Sequence, residues 1–75
     1  MNKNDIEKYI QLIANRPEVE RINLITEDNF TNILKIHYTI TKEYAKEHNL
    51  EFLERVFEYN PNILNLSHTR EYAKL

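Results

Sequence analysis

No glycine occurs in the 75 residues of this chain, and that absence limits both the turns it can make and the chemistry it can hold. Glycine enters left-handed backbone without steric cost; among the other residues Asn is the most at ease there. Phosphate-cradling loops of the G-x-x-x-x-G-K and G-x-G-x-x-G kinds need backbone without a Cβ, so they are excluded. Calcium loops that turn sharply on a glycine are excluded with them. The chain also lacks cysteine, which removes disulfides, thiolate zinc sites and cysteine nucleophiles and fits a reducing, cytoplasmic setting.

A chain this short buries only about 60% of its unfolded surface. Residues 1–75 are therefore expected to form one α+β domain with one modest core, and partner chains would help to finish its burial. The polar, charged start from Met1 to Lys8 does not suit a signal peptide, and no apolar stretch is long enough for a membrane helix. Twelve acidic residues stand against ten basic ones, for a net charge of −2. That balance lacks the cationic excess from which most nucleic-acid binders draw their affinity.

Ile6, Tyr9, Ile10 and Ile13 recur at helical spacing and predict a first helix from Asn4 to Ala14. Asn4 would cap it, with Glu7 reaching back, and Pro17 would stop it near Asn15. From Val19 to Thr26 and from Phe30 to Ile40 the period shortens to two and β-branched residues dominate, which predicts a β-hairpin. Phe30, Leu34, Ile36, Tyr38 and Ile40 share its core face, while Thr31, Ile33, Lys35, His37 and Thr39 point away. The turn is read as Glu27-Asp28-Asn29, with Thr26 opposite Phe30 and Ile22 opposite Leu34.

Thr41 is a good N-cap, and a second helix is expected from it to the Asn60-Pro61 break. At 100° per residue Glu43, Glu47, Glu51, Glu54 and Glu58 form one acidic stripe, with Ala45, Phe52, Leu53, Val56 and Tyr59 opposite. Tyr44, Leu50 and Phe57 flank the stripe as apolar shoulders. Asn49 lands among the buried positions, where it is either hydrogen-bonded or the end of one helix and the cap of another. Beyond Pro61, Ile63, Leu64 and Leu66 argue for a packed tail, with Ser67 capping a short last helix that holds Glu71 and Tyr72. The expected order is α-β-β-α with a short C-terminal helix, the antiparallel hairpin packing on the helices. A hairpin alone leaves two open edges, so a four-stranded sheet across a homodimer would cover them, unless the tail supplies a strand.

The acidic stripe suggests a rail for a basic protein surface, because like charges at i and i+4 destabilise a helix and Arg55 relieves them only in part. The partner-binding set is then Glu43, Tyr44, Glu47, Leu50, Glu51, Glu54, Phe57 and Glu58. An ordinary solvated helix face would read the same way. The alternative is a dimeric nucleic-acid-binding regulator that uses the outer hairpin face through Arg21, Asn23, Lys35 and His37. His37, His48 and His68 show no zinc spacing, and Ser67 with the adjacent His68 makes no nucleophile pair. No catalytic residue, metal or cofactor is therefore expected. A small-molecule role is disfavoured, since one short chain leaves little room for a pocket of about 300 Å³.

The abundance of Asn, Ile, Lys and Glu is compatible with an AT-rich coding sequence, as in many low-GC bacteria and their phages or plasmids. With its size and acidic stripe, the chain resembles the small acidic proteins by which phages block host nucleases or restriction and CRISPR complexes. That resemblance implies a non-enzymatic inhibitor or antitoxin-like protein, cytoplasmic, homodimeric and without a membrane segment, that engages another protein.

Overall fold

In the computed structural model, which describes residues 1–63 and 67–75, helix α1 spans Lys3–Ala14. Its cap is Asn2, not Asn4: the Asn2 side chain accepts from the Asn4 N–H at 2.7 Å. Asn4 therefore lies inside the first turn. At the other end Asn15 closes the helix and Pro17 follows, where a proline cannot continue it.

Strands β1 (Val19–Asp28) and β2 (Ile33–Ile40) pair as the expected antiparallel hairpin, but in a different register. Asp28 lies opposite Ile33, and Ile22 faces Tyr38, not Leu34. The turn chemistry explains the shift. The Asp28 carboxylate accepts from the backbone N–H groups of Phe30 and Thr31, at 2.8 and 3.2 Å, and Asn32 takes the left-handed position at φ 60°. The connection is thus one residue longer than expected, and it ejects Phe30, which is 97% exposed, from the core.

The second helix is far shorter than its amphipathic pattern suggests. Helix α2 spans only Lys42–Glu47; Thr41 caps its start as expected. It ends in a Schellman motif, with Asn49 left-handed at φ 55°, the Leu50 N–H bonded to the Ala45 carbonyl and the Asn49 N–H to that of Lys46. Of the two roles open to Asn49, ending the helix is the one it takes. Among the described residues no further helix begins at Leu50 or after it. Strand β3 (Glu54–Tyr59) pairs antiparallel with β2, and β4 (Thr69–Ala73) pairs with β3, where a short helix was expected.

The sheet order is β1-β2-β3-β4. All four strands come from one chain, so no dimer is needed to complete the sheet. The chain remains in the α+β class. Ile63, expected to pack down with the tail, is half-buried outside any strand, and Leu64 and Leu66 lie outside the described residues.

Both helices feed one core on one face of the sheet. Ile13 of α1, Leu34, Ile36, Tyr38 and Ile40 of β2, Ala45 of α2 and Phe57 of β3 are all buried there. Tyr9 lies over Phe57 and Tyr59, with ring centroids 5.6 and 4.4 Å away. Burial of each large side chain of this set contributes on the order of 1.5–3 kcal/mol. Among the described residues no helix covers the opposite face. Edge strand β1 carries two register shifts and the charges of Glu20, Arg21, Glu27 and Asp28, features that discourage edge-to-edge pairing.

Candidate functional site

The uncovered face is built by strand alternation. Every second residue of β2 points into the core, so Ile33, Lys35, His37 and Thr39 point out. Cross-strand partners share a side, which adds Arg21, Leu24 and Thr26 from β1, Glu54, Val56 and Glu58 from β3, and Arg70 and Tyr72 from β4. The register shift between Ile22 and Leu24 lets Asn23 join them. Its amide donates to the Thr39 hydroxyl at 2.8 Å and its carbonyl oxygen accepts from Arg21 Nε at 3.1 Å.

Glu58 is the anchor of this face. It is 5% exposed although neither helix packs on this face. Arg70 Nε donates to one carboxylate oxygen at 2.8 Å, the Tyr72 hydroxyl donates to the other at 3.0 Å, and Lys35 Nζ lies 3.9 Å away. Burial alone would push its carboxyl up. The bonds from Arg70 and Tyr72 and the nearby cations outweigh that and hold it below the usual carboxylate range. The Arg70 guanidinium also sits over the Tyr72 ring, 5.1 Å from its centroid.

His37 occupies the middle of the face. Its Nδ1 is buried and has no hydrogen-bond partner among the described residues. Loss of hydration, then the charges of Lys74 and Lys35, push the imidazole below its ordinary value, against a weaker opposite pull from Glu54. The ring is therefore neutral at pH 7. Lys74 acts on His37 from just beyond β4, so the face gathers four cations, Arg21, Lys35, Arg70 and Lys74, against the carboxylates of Glu54 and Glu58. The chain as a whole carries −2. Leu24, 50% exposed, and the half-buried Ile33 supply apolar area.

The two residue sets read from the sequence fare differently. Arg21, Asn23, Lys35 and His37 come together on this face. The acidic set does not form one ridge, because the helix that would carry it ends at Glu47. Glu43 and Glu47 are exposed on α2, and Glu51 is exposed in the loop after it. Tyr44 stacks on His48 at 4.1 Å and, with Leu50, packs against the core. Glu54 and Glu58 lie on the open sheet face, while Phe57 is a core residue at 2% exposure and cannot serve as an outer shoulder. Successive strand residues face opposite ways, so Phe57 and Glu58 are parted by the sheet itself.

Arg70, Tyr72 and Lys74 were not singled out from the sequence. Their signal is the alternation of Arg70, Tyr72 and Lys74 with Glu71 and Ala73, a period of two that a helical reading of the tail passes over. Comparison with protein-family models, with curated proteins and with solved structures finds no match. The site is therefore defined by its geometry.

Among the described residues no group of three or more His, Asp or Glu side chains is placed to hold a metal ion. Nor, among the described residues, is any helix long and apolar enough to cross a membrane. On the covered side, beyond the C-terminal end of α1, the structure does hold a cavity of about 370 Å³. That corrects the expectation that one short chain leaves little room for a pocket of about 300 Å³: residues after α1, on β2 and β3 and around α2 line it together.

Proposed function

We propose that this chain is a non-enzymatic protein-binding module, of the inhibitor or antitoxin kind, whose contact surface is the open face of its sheet. The observation that carries the reading is a sheet face against which neither helix packs, where the row Leu24, His37, Val56 and Tyr72 crosses all four strands among the cations Arg21, Lys35, Arg70 and Lys74. Protein interfaces favour this composition, because tyrosine and arginine dominate their binding energy. Glu58 supports it as well, because a carboxylate already bonded to Arg70 and Tyr72 holds both side chains in place before a partner arrives. The partner's matching surface offers apolar area to Leu24 and Tyr72 and carboxylates to the cations among them.

A second reading, single-stranded nucleic acid on the same face, draws on the four cations and on the hydrogen-bonding groups of Asn23 and Thr39. Glu54 and Glu58 oppose it, and Arg70 is already engaged by Glu58.

Affinity capture on the immobilised chain, with and without nuclease, separates the two. The proposal expects a discrete protein that resists nuclease and is lost with Leu24→Glu/Lys74→Glu, a variant that leaves the Glu58 bonds intact. Capture that vanishes with nuclease transfers the face to nucleic acid; capture unchanged in the variant removes the face from consideration.

A further inference from the structure

The two edges of the sheet are not alike. Edge strand β1 is interrupted by two register shifts, whereas β4 pairs with β3 without one. In an antiparallel ladder the backbone groups of successive residues turn alternately toward and away from the neighbouring strand. The Asn60 N–H bonds the His68 carbonyl and the Lys74 N–H bonds the Glu54 carbonyl. Arg70 and Tyr72 therefore belong to the inward set, and Thr69, Glu71 and Ala73 to the outward one. Ser67 serves the outward groups of Thr69: its hydroxyl donates to the Thr69 carbonyl at 3.1 Å and lies 3.4 Å from the Thr69 nitrogen. Among the described residues the N–H and C=O groups of Glu71 and Ala73 have no hydrogen-bond partner. They are two consecutive unfilled rungs of a ladder, the feature to which another strand adds.

The side chains beside these rungs select what fills them. Arg70, Tyr72 and Lys74 border the open face, and Lys74 has no ion-pair partner among the described residues. On the covered side Arg16 and the Tyr38 hydroxyl both donate to the Glu71 carboxylate, so that charge is already answered. An antiparallel second copy that filled both rungs would pair Glu71 of one chain with Ala73 of the other. Arg70 would then stand directly opposite Lys74 of the other chain, and like charges so placed destabilise a strand pair. We propose that the β4 edge instead accepts an extended, acidic segment of a partner protein as a fifth, antiparallel strand. Its main chain fills the rungs at Glu71 and Ala73, its carboxylates stand opposite Arg70 and Lys74, and the apolar residue midway between them packs on Tyr72. Main-chain bonds supply the affinity and alternate side chains the specificity. The proposal rests on the reading of the open face as the contact surface and adds how the partner's chain meets its β4 border.

The test is an NMR titration of the ¹⁵N-labelled full chain at pH 7 with the peptide acetyl-Thr-Glu-Val-Val-Thr-Glu-Thr-amide. Two control peptides accompany it: one with Lys in place of both Glu, and one methylated on the backbone nitrogens of the two residues that face Glu71 and Ala73. The expected result is saturable shifts of the Glu71 and Ala73 amides, with affinity at least about tenfold weaker for each control. Ala73→Pro should weaken binding by a similar factor, because it removes an outward N–H and no bond to β3. The methylated peptide decides the matter even if that variant fails to fold. Absence of saturable shifts at about 5 mM peptide overturns the proposal. So does equal affinity for the Lys peptide, or for the methylated one, which would show side-chain contact without strand addition. Glu71 and Ala73 shifts that change on dilution of the protein alone assign the edge to a second copy and overturn it as well. Failure of the open-face reading is a different result, capture of the partner unchanged by Leu24→Glu/Lys74→Glu.

Discussion

Glu58→Gln tests whether a carboxylate charge, rather than hydrogen bonding alone, clamps β4 to the sheet. In the native protein one Glu58 oxygen takes the Arg70 Nε–H and the other takes the Tyr72 O–H. Glutamine keeps a single acceptor oxygen and turns its NH₂ toward a donor, so one of the two bonds is lost. The bond from the Tyr72 hydroxyl to a buried charge is worth about 1.5–3 kcal/mol and falls to about 1 with a neutral acceptor. The Arg70 side chain is 68% exposed, so solvent screens that pair and it adds little. Relief of the carboxylate's own desolvation offsets part of the loss. The net expectation is about 1–2 kcal/mol, which for a domain of this size lowers Tm by roughly 5–15 °C. The pH dependence fixes the cause. The folded Glu58 lies below its ordinary value of 4.5, so its stabilisation is complete above that value and is lost as pH falls through the lower folded value. Thermal melts of both proteins from pH 7 downward should therefore draw together as native Glu58 takes up its proton. A Tm gap that stays constant across the range, or no gap at pH 7, would refute the reasoning.

Three further outcomes follow from other parts of the chain. Asn49→Ala, which forces a Cβ-bearing residue without a helpful side chain to φ 55°, should cost about 1 kcal/mol in a denaturant melt, whereas Asn49→Gly should be neutral or stabilising. Tyr38, pushed up to about 12 by burial and by its bond to Glu71, should contribute a tyrosine step near pH 12 in an ultraviolet titration, and Glu71→Gln should bring that step down. Because its folded value is raised, the stability this proton confers is complete below about pH 10 and disappears as pH climbs toward 12. Phe57→Ala should cost about 3–5 kcal/mol by opening a cavity in the core, whereas Phe57 on an exposed helix shoulder would tolerate the change with a loss under about 0.5 kcal/mol.

The sequence-level reading succeeds where local and tertiary preferences agree. Ile6, Tyr9, Ile10 and Ile13 have no strand reading, and α1 forms over nearly the expected span. The β2 alternation from Leu34 to Ile40 is likewise unambiguous, and its two faces fall as expected. Register was not legible, because the Asp28 side chain competes for the turn N–H groups and lengthens the connection by one residue. The stretch from Leu50 to Tyr59 misleads for a different reason. Its apolar residues satisfy a helical stripe and a strand alternation alike, and only a neighbouring strand distinguishes them. Asn49 is the local signal that tips the balance, since its left-handed conformation ends α2 and turns the chain back along β2. The consequence for function is direct: the acidic stripe existed only in the helical reading, while the polar hairpin face survives because β2 does. Arg70 and Tyr72 could be added to that face only once β4 was in register with β3.

The central claim is that the open sheet face, and not the acidic residues around α2, makes the contact with a protein partner. The most direct test measures the affinity of the captured partner for three purified proteins: the parent chain, Leu24→Glu/Lys74→Glu on the sheet face, and Glu43→Lys/Glu47→Lys/Glu51→Lys on and after α2. Binding at least about tenfold weaker for the sheet-face variant, with the α2 variant within about threefold of the parent, is the predicted result. The reverse pattern, with the α2 variant losing the partner and the sheet-face variant retaining it, would contradict the account.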